Sequence, residues 1–138
     1  MDKHKLARIH RVRTLQLGMA QAAETRARDQ VASETALSHR IAQLADAVSP
    51  TQGGGAGVSL AAQAHYREKL HRTAQAAENR LRTAQAEANR TLEARQSAKR
   101  DQTAAEKLIA RAEAEDALRA IRALQETPPT RKIRHDPC

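Results

Sequence analysis

A stretch reading Ser49-Pro-Thr-Gln-Gly-Gly-Gly-Ala-Gly57 interrupts an otherwise unbroken run of helix-forming residues, and the chain around it has no Phe, no Trp and one Tyr. Without large aromatics a chain cannot readily fill a globular core. This one carries 30 Ala among its 138 residues, and Ala lets two helices approach closely along a narrow seam while burying little area per residue. The expected fold is all-α: two long helices in an antiparallel coiled-coil hairpin, the second longer than the first. Its stability would rest on seam packing rather than on a deep core.

The boundaries follow from local chemistry. The first helix is expected over about 3–49. A Gly-rich turn covers 50–58, where Pro50 and four Gly end one helix and reverse the chain. Ser59 suits an N-cap, so the second helix is expected over about 59–126, stopped by Thr127-Pro128-Pro129. A Pro-containing basic tail, 127–138, completes a single domain.

Alternating steps of three and four define the seams. For the first helix the seam reads Leu6, Ile9, Arg13, Gln16, Ala20, Ala23, Ala27, Gln30, Glu34, Leu37, Ile41, Leu44 and Val48. For the second it reads Leu70, Ala74, Ala77, Leu81, Ala84, Ala88, Thr91, Arg95, Ala98, Gln102, Ala105, Ile109 and Ala112. Gln16, Gln30 and Glu34 make the first helix a poor parallel zipper by itself. Exposed faces carry Glu-to-Arg pairs four apart: Glu24/Arg28, Glu68/Arg72, Glu78/Arg82 and Glu115/Arg119.

Folding about Gly53–Gly54 sets Leu37 against Leu70, Ile41 against Tyr66, Ala23 against Ala84 and Ile9 against Ala98. Large residues then gather at the closed end and small ones fill the middle. On this register the first helix runs out near residue 105, which leaves about 30 Å of the second helix unmated. That overhang holds Leu108, Ile109, Leu118, Ile121 and Leu124, so it is expected to pack on a partner or on another copy.

The charge is +8 and unevenly spread. Residues 1–13 hold five cations against one acid, and residues 67–100 hold nine against four, whereas 14–50 hold three cations and four acids. A basic surface of this kind suits an acidic partner surface. Nucleic-acid binders usually add stacking aromatics, yet Tyr66 stands alone and acids interleave the Arg residues, so nucleic acid is the less favoured partner.

Enzymatic chemistry finds little support. His4/His10 and His65/His71 are spaced six apart, on different helical faces, with no Cys or carboxylate at ligand spacing, so no metal is expected. Gly53-Gly-Gly-Ala-Gly57 lacks the Lys-Ser/Thr of a phosphate loop, and a two-helix hairpin offers no pocket to shield a reaction. No cofactor, small-molecule substrate or catalytic residue is expected. The single Cys138 cannot form an internal disulfide, which fits a reducing compartment. No apolar run is long enough to cross a membrane. A cytoplasmic protein, held beneath a membrane through a partner, is the expected setting.

A basic amino-terminal helix opening Lys5-Leu-Ala-Arg-Ile-His-Arg-Val-Arg13, a closed end near residue 50, and a restart reading Gly57-Val-Ser-Leu-Ala-Ala-Gln-Ala-His-Tyr-Arg-Glu-Lys-Leu70 precede the long Ala/Arg/Glu-rich second helix. Across residues 4–126 this layout resembles the FliJ family of flagellar type III export, and the related stalk subunits of virulence secretion systems. Lys107-Leu108 with Arg111, Glu113 and Glu115 echoes the family's charged carboxy-terminal helix, although Pro128-Pro129 stops it early here. The resemblance implies a non-catalytic stalk, similar to the γ subunit of rotary ATP synthases. Such a stalk binds the hexameric export ATPase and the membrane export gate, and escorts export chaperones. On that reading Arg8, Arg11, Arg13, Leu108, Ile109, Leu118, Ile121 and Leu124 form an open-end partner site. Leu37, Ile41, Tyr66 and Leu70 form a closed-end site, or are simply seam packing. The alternatives are a basic coiled coil that binds nucleic acid and a self-associating structural coiled coil.

Overall fold

A computed structural model describes residues 2–48 and 57–129, with the side chains of 57–59 left aside. The protein is all-α: helix α1 spans Lys3–Ala47 and helix α2 spans Gly57–Glu126. Most of the expected Gly-rich turn (49–56) and the end of the basic tail with Cys138 (130–138) lie outside the described residues. Gly57 and Val58, placed in that turn by the sequence, are helical instead. Ser59 therefore sits inside the first turn of α2 rather than capping it.

Both helices are rich in Ala, Leu, Arg, Glu and Gln, which lose little side-chain freedom in a helix. Asp2 caps α1, its Oδ1 accepting the His4 N–H at 3.2 Å and its carbonyl accepting the N–H groups of Lys5 and Leu6. Thr residues, poorer helix formers, turn their hydroxyls back onto the preceding turn. Thr14 donates to the His10 carbonyl, Thr35 to Val31, Thr73 to Lys69 and Thr83 to Asn79. At the far end Thr127 donates to the Ala123 carbonyl at 2.8 Å, satisfying one of the orphan acceptors of α2.

Gly18 is the exception inside α1. It is exposed, and a methyl group added there would meet no atom within 4 Å. Gly18→Ala is therefore expected to raise stability by about 0.5–1 kcal/mol through helix propensity alone. A urea denaturation midpoint that fails to rise would contradict this.

The residues form two compact units. In the first, Met1–Thr14 with Arg100–Cys138, Lys3 pairs with Asp116 at 2.6 Å, His10 with Glu106 at 3.4 Å and Arg13 with Asp101 at 3.1 Å. Numbers rise along α1 as they fall along α2, so the helices run antiparallel. The second unit, Leu15–Lys99, shows the same sense: Glu24 pairs with Arg95 at 2.5 Å and Glu34 with Arg80 at 3.7 Å.

Along α2 every expected seam position from Leu70 to Ala112 is half-buried or buried, with Ala77, Ala84 and Ala105 the best covered and Leu92 and Thr103 half-buried beside them. Along α1 half of the expected seam is displaced. Leu6, Ala27 and Ile41 are buried as expected, with Arg13, Ala20, Glu34 and Val48 half-buried, but the intervening line runs through His10, Leu17, Glu24, Val31 and Ser38. Ile9, Gln16, Gln30, Leu37 and Leu44 are exposed, while Ala23 is half-buried. A step of four followed by three, rather than three followed by four, buries Leu17 and Val31 in place of Gln16 and Gln30. The larger apolar residues nearer the ends are left on the flanks.

The register differs too. Glu24 lies opposite Arg95 and Arg13 opposite Asp101, where folding about Gly53–Gly54 placed them near residues 83 and 94. The two pairs are displaced by twelve and seven residues, one heptad or more. Leu37 thus has no place opposite Leu70, nor Ala23 opposite Ala84.

Candidate interaction faces

The shifted register redraws the open end. Because Lys3 reaches Asp116, α1 mates with α2 well past residue 105. Only residues 117–126 extend beyond it, about 15 Å of helix rather than 30 Å. Ile109 is accordingly half-buried and lines a shallow cleft with Leu6, Ala7 and Ala112. It belongs to the intramolecular seam, and the expectation that it is unmated is corrected. Leu108 flanks that seam at 43% exposure. Leu118, Ile121 and Leu124 stay exposed, Leu124 at 76%.

Ile121 and Leu124 belong to a longer line that apolar patterning did not isolate. Ala110, Ala114, Ala117, Ile121 and Leu124 are all exposed and repeat at steps of four and three, with Leu118 beside them. The same spacing carries the seam Ala105, Ile109, Ala112 and Asp116, but at roughly 100° per residue the two lines face different ways. The end of α2 therefore has a second coiled-coil-like stripe turned away from α1. Its signal was present in the sequence as a second heptad line, hidden because its first members are Ala.

Charges border this stripe unevenly. Lys107, Arg111 and Arg122 are exposed and make no ion pair among the described residues. Glu115 does not pair with Arg119 as expected; Arg119 instead meets Asp116 at 3.0 Å. Asp116 thus takes two cations, Lys3 on one oxygen and Arg119 on the other. The Lys3 ammonium, hydrogen-bonded to Asp116 and assisted by Arg119, holds that carboxyl below its ordinary range.

On α1, Arg8 and Arg11 are exposed and make no ion pair among the described residues, whereas Arg13 is tied to Asp101. The structure thus places Arg13 in a helix–helix contact rather than in a free cationic patch.

At the other end, Ile41 is buried at 6% exposure and Leu70 is half-buried, so both pack in the seam. Leu37 and Tyr66 stand outside it, at 38% and 46% exposure. The expected foursome therefore divides into two packing residues and two surface residues.

Of the pairs four apart expected on exposed faces, Glu68/Arg72 and Glu78/Arg82 form there at 2.5 and 2.7 Å, whereas Glu24/Arg28 forms at 2.6 Å with Glu24 itself buried in the seam. Among the described residues no group of three or more His, Cys, Asp or Glu is placed to hold a metal ion, and no helix is long and apolar enough to cross a membrane. A groove lined by Gln30, Glu34, Asn79, Arg80, Thr83, Ala84 and Glu87 is open along its length. Compared with family models, curated proteins and solved structures, the chain matches none.

Proposed function

We propose that this chain is a non-catalytic stalk of a type III protein export apparatus of the flagellar kind, coupling a hexameric export ATPase to a membrane export gate. The observation that carries the reading is the exposed stripe Ala114, Ala117, Ile121 and Leu124, with Lys107, Arg111 and Arg122 beside it. An antiparallel hairpin with a longer second helix agrees with the sequence resemblance to the FliJ family. An apolar line on a helix that has already satisfied its intramolecular seam is best explained by a second protein surface. The unpaired cations suit an acidic rim on that surface.

In this reading the end of α2 enters the ATPase, with Arg8 and Arg11 as peripheral cations. Leu37 and Tyr66 remain available to the gate or to export chaperones at the other end. The protein is cytoplasmic and reaches the membrane only through those partners. It carries no cofactor and takes no small-molecule substrate.

The test is co-purification with the export ATPase encoded in the same genome, comparing the full chain with a truncation after Asp116. The truncation keeps the Lys3 contact and removes the unmated turns together with residues 127–138, so a second truncation after Pro129, expected to bind as the full chain does, separates the two. Binding and stimulation of ATP hydrolysis are expected to fall at least about tenfold, as loss of a clustered apolar anchor produces, with helicity per residue unchanged by circular dichroism. Undiminished binding by the truncated chain would sink the assignment. Concentration-dependent sedimentation of the full chain without the ATPase would point to self-association. Affinity for DNA that falls steeply with salt would point to nucleic acid.

A further inference from the structure

The geometry points to a register lock within Leu15–Lys99: the buried pair Glu24–Arg95, flanked by Glu34–Arg80, selects one of two alignments that an alanine seam would otherwise accept, and opening the buried pair shifts the population towards the alignment one heptad away. This goes beyond the export reading and does not depend on any partner.

Within Leu15–Lys99 the α2 seam from Leu70 to Ala98 is mostly Ala, with Leu at 70 and 81. Small, equal side chains offer each other nearly the same surface when displaced by seven residues. Glu34 reaches Arg80 and lines one groove with Gln30 and Ala84, an alignment on which Val31 falls near Ala84 and Ala27 near Ala88. Displaced by one heptad towards the turn, Val31 would meet Ala77, Ala27 would meet Leu81 and Ala20 would meet Ala88. Apolar pairing survives the step. This displaced alignment is also close to the one that apolar patterning by itself suggests.

The charged seam residues break that near-equivalence. Glu24 is buried, at 5% exposure. Its carboxylate is met by Arg95 from α2 at 2.5 Å and by Arg28 from its own helix at 2.6 Å. Arg95 is the one charged residue on the α2 seam between Leu70 and Ala98. In the displaced alignment Glu24 would face Ala84 and Ala88 and lose its cross-helix cation. Arg28 would stay with it, but a buried carboxylate that loses one of its two cations, and a half-buried Arg95 left without its acid, are disfavoured.

The pair is better suited to choosing than to holding. Arg95 Nε faces Glu24 Oε2 and Arg28 faces Glu24 Oε1, yet neither Arg95 Nε nor Glu24 Oε1 has an aligned hydrogen bond. A buried ion pair with incomplete hydrogen bonding adds little net stability over apolar packing, while opposing states that separate the charges. The chain between Ala47 and Gly57 is long enough to accommodate a step of about 10 Å.

The experiment reads the alignment directly in the full chain carrying Cys138→Ser. Ala27→Cys with Ala88→Cys reports the observed register, and Ala20→Cys with Ala88→Cys reports the displaced one, using a short thiol crosslinker at high dilution. With Glu24 and Arg95 intact, the first reporter should close and the second should stay open. In Glu24→Ala the ratio of displaced to observed crosslink should rise at least about tenfold, the size expected from coupling between contacting charges, with helicity unchanged. The mirrored cluster, Glu24→Arg with Arg28→Glu and Arg95→Glu, should restore the original ratio. An unchanged ratio in Glu24→Ala overturns the lock. So does a helical mirrored variant that still slips. Loss of helicity in Glu24→Ala also overturns it, because the pair would then support folding as such rather than decide between alignments.

Discussion

Ala77→Leu is expected to lower the stability of this protein by about 1–3 kcal/mol, whereas the adjacent Ala76→Leu should change it by less than about 0.5 kcal/mol. Ala77 has no exposed surface, and Ala76 beside it is exposed. Leu is nearly as good a helix former as Ala, so propensity does not separate the two variants. What separates them is the space between helices. Ala at the seam positions lets the backbones approach until the methyl groups touch, and an isobutyl group at 77 must push α1 outward or leave its preferred rotamer. Urea denaturation followed by circular dichroism reads both variants. Equal midpoints for the two would mean that the helices are not closely apposed at Ala77.

Leu17→Ala should cost about 2–3 kcal/mol, while Leu37→Ala should cost less than about 1 kcal/mol. Leu17 is 7% exposed and Leu37 is 38% exposed, although apolar patterning ranks Leu37 as a seam residue and passes over position 17. The cost at Leu17 sits at the low end for core leucines, because a two-helix seam is open at its sides and water can reach part of any space left behind. Thermal or urea midpoints of the two single variants, measured side by side, decide the matter. A larger loss at Leu37 would restore the alternative phase of α1.

The contrast between these leucines shows what the residue pattern discloses and what it withholds. Architecture was legible: one Gly-rich interruption, no β pattern and an Ala-dominated repeat leave little besides a helical hairpin. The α2 seam was legible in full, because its apolar residues from Leu70 to Ala112 keep one phase with few competitors. The α1 seam was only half legible. Positions 6, 13, 20, 27, 34, 41 and 48 belong to both possible phases, and counting apolar residues favoured the phase through Ile9, Leu37 and Leu44. The structure prefers the phase through Leu17 and Val31, and admits Glu24 because Arg95 and Arg28 neutralise it.

Register was hidden for the same reason. Its determinants are polar contacts across the seam, Lys3 with Asp116 and Glu24 with Arg95, and such pairs are specified by three-dimensional proximity rather than by spacing along one helix. Asp116 illustrates this on a small scale. Spacing along α2 offers Asp116 to Arg119, but nothing in that spacing announces Lys3, distant in sequence, as its second partner. At the candidate interaction site, Leu118, Ile121 and Leu124 were legible as surplus apolar surface. The Ala residues that extend their line were not, because Ala is everywhere in this chain.

The preponderance of Ala across the interface has a calorimetric corollary. Unfolding heat capacity scales with the hydrocarbon area newly wetted, and methyl groups contribute little of it. The per-residue increment should therefore fall below the usual ~12–15 cal/mol/K. The free-energy curve against temperature is then shallow, with melting spread over many degrees and cold denaturation pushed well below freezing.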